Sequence, residues 1–185
     1  YLPASYGTAA YIGDPVLKTG TSNTSVVNAI GGGSFEIGTM PEINIAAVGD
    51  AARITGVIVG FYAHASHLDK AYNPASTERV ALVCDDPRAI FEIQADGAIA
   101  AAQVGLNAVL IATHSGVTAT GLSGHELDTT SDAPAADASN QLLILGQVNR
   151  SDNEPNLIHN KVLVMITNHT EAHGNTAAGD GILGI

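Results

Sequence analysis

The residues of this chain that could do chemistry are its seven histidines, its acidic loops and its single cysteine. His64 and His67 sit in the sequence HASH, and His169 and His173 stand four apart. Two imidazoles one helical turn apart can hold one metal ion. Gly174 and Asn175 follow His173, and a strand pattern precedes His169, so no helix is expected there. Neither an HExxH motif nor the HxH-plus-Glu pattern of cupin metal sites is present. Loop and strand-end hydrogen bonding is the expected role of these rings, and no metal or other cofactor is expected. Asp85 and Asp86 could be paired acid–base carboxylates, but adjacent strand residues point to opposite faces, and Pro87 makes Asp85-Asp86-Pro87 a turn signal. Cys84 ends the apolar run RVALVC, where an inert, buried thiol is the expected outcome rather than an activated nucleophile.

Asp96, Asp128, Asp132, Asp137 and Asp152 lie in loops, and Ca²⁺ favours such oxygens. They lack the regular Asp-x-Asp-x-Asp-Gly spacing, so a solvated acidic face is expected. Gly31-Gly32-Gly33 lacks the lysine of a phosphate loop and reads as a hinge. With no GxSxG and no familiar Ser/His/Asp spacing, no catalytic residue is assigned and an enzyme is not expected.

Elements must position whatever these residues do, and composition bounds those elements. The chain has 185 residues, which suits one domain with an arm or tail, or two small domains. Its net charge of -11 argues against nucleic acid and against anionic lipid as partners. No apolar run approaches membrane-spanning length, and no leader pattern of basic, apolar and small residues is visible. A lone cysteine cannot form an internal disulfide. With 45% hydrophobic and only 14% charged residues, the chain is too apolar to be wholly disordered.

Residues 1–50 hold scattered glycines and prolines between short apolar groups, with no helical period. They read as an extended N-terminal arm lying on another surface. Residues 51–172 read as a body of short strands: 53–62 (RITGVIVGFY), 79–84, 89–95, 107–113, 124–127, 141–148 and 161–167. Residues 99–104 alone could be a short helix. Six or seven such strands indicate an all-β fold, a single β-barrel or jelly-roll-like sandwich. Residues 173–185 form a Gly/Ala-rich C-terminal tail that ends apolar.

The stretch ALVCDDPRAIFEIQADG (81–97) is the centre of a wider pattern. It is followed by VGLNAVLI, TGLSGHELD, LLILGQVNRSDNEPN and KVLVMITNHTE. This pattern, over roughly 54–171, resembles the head decoration or cement proteins of tailed bacteriophages. The resemblance implies a β-barrel or jelly-roll-like body on the outer face of the capsid. It also implies a virion structural protein that bridges major capsid protein subunits, usually as a dimer or trimer, with no enzyme activity. The apolar arm and the apolar end suit lattice contact, because segments that order on binding wrap large surfaces. The expected capsid or inter-subunit contacts are Leu2, Tyr6, Tyr11, Ile12, Val16, Leu17, Ile182, Leu183 and Ile185.

Two other readings compete. A phage-borne carbohydrate- or host-surface-binding module would want exposed aromatics, and the chain has no Trp. Tyr62 and Tyr72, flanking the His64/His67 loop, are the one plausible patch. A β-fold hydrolase or isomerase would need histidines and carboxylates gathered in one cavity, and no spacing brings them together.

Overall fold

The computed structural model describes residues 1–172. Ile182, Leu183 and Ile185, together with the rest of the expected tail, lie outside the described residues. The strands are β1 (Pro15–Ser22), β2 (Val27–Ala29), β3 (Gly33–Phe35), β4 (Pro41–Ile45), β5 (Gly56–Phe61) and β6 (Ala81–Cys84). They continue as β7 (Ile90–Gln94), β8 (Asn107–Ala108), β9 (Leu110–Ile111), β10 (Glu126–Leu127), β11 (Leu142–Gln147) and β12 (Lys161–Ile166). One 3-10 turn, Ala101–Gln103, stands where a short helix was expected.

The fold is all-β and antiparallel. One four-stranded sheet has the order β4-β1-β5-β6 and the other β7-β12-β11-β8, with two-stranded ribbons β2-β3 and β10-β9 beside them. The alternation read in 89–95 and 161–167 sets the second sheet. Val162, Val164 and Ile166 point inward from β12, and Phe91 pairs with Val164 across the β7–β12 ladder. These side chains join Ile54, Leu110, Leu127, Leu142 and Ile144 in the largest buried cluster. Leu17 and Val57 from the first sheet pack against it.

No barrel closes among the described residues. The turn at Asp85-Asp86-Pro87 carries the chain from β6 to β7 without pairing them, and each strand becomes the edge of its own sheet. That corrects the barrel expectation.

The segment expected to form an N-terminal arm contributes strands to the first sheet. β1 sits inside the first sheet, pairing β4 on one side and β5 on the other, with Val16 opposite both Ile45 and Gly56. On its other side β5 approaches β6 closely, and Gly56 permits it: a Cβ there would come within 2.4 Å of the Cys84 carbonyl oxygen. Leu2, Ala10 and Val16 are buried with Ile43 and Ile58 in a second cluster, which covers the outer side of the first sheet. Residues 1–45 supply most of this cluster and of a third, in which Tyr1, Val27, Ala29 and Met40 pack with Val80; each is completed by a later residue, and the completing contacts are not local in sequence. Leu2 and Val16 are fully buried in their own chain, so neither is a surface contact. Leu17 and Tyr6 are half-buried against the two clusters, and the Tyr6 hydroxyl accepts the Ile45 N–H at 3.0 Å.

Candidate functional site

Two features stand out from the packing. The first is the outer face of the second sheet. Strand alternation that sends Val162 and Val164 inward sends Leu163 and Met165 outward. Ile90, Met165 and Leu143 lie directly opposite one another across three strands. Leu163 and Leu145 continue the row beside a bulge between Ile144 and Gly146. Ile90 is 60% exposed. The result is a contiguous aliphatic face on a polar, acidic protein. Its rim is charged but internally paired. The Arg150 guanidinium grips both Glu92 oxygens at 2.8 and 2.7 Å and reaches Asp152 at 3.1 Å. Hydrogen bonds donated to Glu92 and then to Asp152 raise the Arg150 pKa, and Arg150 holds that of Asp152 below the ordinary range.

The second feature is a Ser/His/Asp cluster that joins distant parts of the chain. Residues 117–123 fold back on residues 10–14. The Ile12 N–H donates to the Gly121 carbonyl, and the Ser123 N–H donates to the Ile12 carbonyl, both at 2.8 Å. Gly121, at φ +74, lies so close to Ala71 that a side chain there would strike its backbone. This zipper brings Asp14, Ser123 and His125 together. Ser123 Oγ donates to Asp14 Oδ1 at 2.5 Å. His125 Nδ1 lies 3.0 Å from Ser123 Oγ and 3.1 Å from Asp14 Oδ1. Asp14 Oδ2 accepts the Tyr11 N–H at 2.7 Å.

These are the residue types of a nucleophilic triad, but the geometry is different. A triad needs its serine on one ring nitrogen and its carboxylate on the other. Here both meet Nδ1, and the serine proton goes straight to the aspartate. Since the carboxylate only accepts, the ring must donate from Nδ1, and neutral His125 keeps a bare acceptor at Nε2. Nε2 makes no hydrogen bond among the described residues, and the side chain is 12% exposed. The ring forms part of two walls. On one side is a largely apolar cleft of about 500 Å³ between the sheets. On the other is a more polar cleft of about 430 Å³ beside Tyr11, His114 and residues 7–9. Next along the chain, Glu126 accepts from Gln94 at 2.9 Å and pairs with His114 Nδ1 at 3.0 Å.

Of the acidic loop residues singled out from the sequence, Asp128, Asp132 and Asp137 come near one another: desolvation and then the charges of Asp50, Asp128 and Asp137 raise the Asp132 pKa. The His64 and His67 rings stack at 5.2 Å, and His64 Nδ1 accepts the Ser66 N–H. His169 is buried, and His173 lies outside the described residues. Cys84 is half-buried at the end of β6. Asp86 caps its own turn by accepting the Arg88 N–H at 2.8 Å. Asp128 and Asp137 do the same for Thr130 and Ser139. Asp96 accepts from Thr129 and Thr130; these bonds outweigh its desolvation and lower its pKa. Gly31-Gly32-Gly33 turns the β2–β3 hairpin. No three His, Cys, Asp or Glu side chains gather as a metal site among the described residues. Tyr11 stacks on Tyr72 at 5.1 Å, while Tyr62 packs against Gly32 and Phe35. Ile12 lines the apolar cleft.

Sequence reading missed the cluster of Asp14, Ser123 and His125, because Asp14 lies 109 and 111 residues from the other two. The available signal was the short polar run Ser-Gly-His-Glu at 123–126, with no partner visible in one dimension. No protein-family model, curated protein or solved structure matches the chain.

Proposed function

We propose that this chain is a virion structural protein, a cement that binds the outer face of an assembled phage head and bridges major capsid protein subunits. The observation that carries the reading is the aliphatic outer face of Ile90, Leu143, Leu145, Leu163 and Met165. A flat apolar sheet face suits another protein surface better than a small molecule. Its rim charges are already paired with one another, so docking would leave few of them without a partner. The family resemblance over residues 54–171 points the same way, and the finer fold that accompanies it is a jelly-roll-like sandwich. Stabilisation follows mass action: a protein that binds only the assembled shell shifts the balance toward it. Repeated copies on a lattice add multivalency. Dimer or trimer formation on the shell belongs to the same proposal.

Co-sedimentation with empty and DNA-filled phage heads tests it. The expected result is saturable binding at a fixed ratio to the capsid protein. Absence of binding to both kinds of head would reject the cement reading.

A further inference from the structure

The cleft between the sheets is lined by none of the five residues of the aliphatic outer face. Its floor is the main core. Val57 and Val59 from β5, Phe91 and Ile93 from β7, and Leu122 from the zippered loop line the cleft, and its polar lining is Glu92, Gln94, Ser123 and His125. Val59, at the mouth, is 55% exposed although the strand has placed it on the face that looks into the cleft. A volume of about 500 Å³, mostly apolar and with few polar groups, falls in the range of small-molecule sites.

The polar end defines what fits. With the ring neutral and donating from Nδ1 to Asp14, His125 Nε2 is an acceptor without a protein hydrogen bond among the described residues. That nitrogen accepts a hydrogen bond from a ligand. A negatively charged head is disfavoured, since the Asp14 carboxylate lies 3.1 Å from the ring and no Lys or Arg lines the cleft. We propose that the intersheet cleft binds a neutral, hydroxyl-headed aliphatic molecule, with its chain between β5 and β7 and its hydroxyl donating to His125 Nε2.

The test titrates 1-octanol and octanoate separately into the full chain at pH 8. Methyl chemical shifts and thermal midpoint report binding. Octanol is expected to saturate and raise the midpoint, and octanoate to bind at least about tenfold more weakly, a difference of about 1.4 kcal/mol. Val59→Trp blocks the mouth from an exposed position and is expected to abolish the octanol shifts. His125→Phe keeps the ring volume but removes the acceptor, and is expected to erase the preference for the alcohol. The proposal is overturned by octanol shifts that do not saturate, by octanoate binding as tightly as octanol, or by His125→Phe retaining the full preference. Should Val59→Trp fail to fold, the His125→Phe comparison decides alone.

Discussion

Gln141 is fully buried, and its amide ties three separate segments together. Its Oε1 accepts the N–H groups of Gly49 and Leu110, and its Nε2 donates to the Ala47 carbonyl at 2.9 Å. Gln141→Leu keeps the volume but leaves the buried Leu110 N–H and the half-buried Gly49 N–H without this acceptor, so a loss of about 1–3 kcal/mol is expected. A urea midpoint lowered at constant slope would show it, and an unchanged midpoint would refute it. Arg79 acts similarly: its buried guanidinium donates to the carbonyls of Tyr62, Lys70 and Tyr72 and lies 5.1 Å from the Phe61 ring centre. His169 contributes pH dependence. Its Nδ1 accepts the Glu171 N–H at 3.0 Å, and its Nε2 is buried without a partner among the described residues. Burial lowers its pKa, partly countered by Glu171, Asp85 and the Thr55 backbone and reinforced by Lys18. The unfolded chain takes up this proton below about pH 6.5, while the folded chain resists it. Stability from neutral His169 is therefore complete above that pH and falls as pH drops through it. Urea midpoints measured from pH 7.5 to 5 should decline, and His169→Gln should flatten the decline; an equal slope in the variant would exclude His169 as its source. None of these roles was visible in the sequence, because a polar residue's partners come from distant segments. Asp85-Asp86-Pro87 was legible as a turn because its chemistry is local.

At the scale of elements, legibility followed alternation. Phe91/Ile93 against Glu92/Gln94 identified β7, and the apolar runs at 141–148 and 161–167 identified β11 and β12. β1 escaped because only Val16 and Leu17 in it are large and apolar, and its register is set by β5, some forty residues away. That placement yields a clear expectation. Deleting residues 1–45 removes β1 and β4 together and uncovers Ile58 and Val83 on β5 and β6. The truncated chain should lose cooperative unfolding by circular dichroism. A truncation that still unfolds cooperatively would restore the independent-arm view.

At the scale of the molecule, an acidic chain of net charge -11 presents one aliphatic sheet face, bordered by the Arg150–Glu92–Asp152 pairs. Net charge of this size favours solubility in general, whereas an exposed aliphatic face favours association. The all-β class was legible from strand spacing. The outward face was not, because KVLVMI reads as a continuous apolar run until its neighbours show which side is covered. The measurement that bears most directly on the cement proposal is co-sedimentation of Leu163→Asp with phage heads, beside Leu68→Asp in an exposed loop far along the chain from that sheet. The account predicts at least tenfold weaker binding for Leu163→Asp, about 1.4 kcal/mol or more, and unchanged binding for Leu68→Asp. Equal binding by the two folded variants would contradict it.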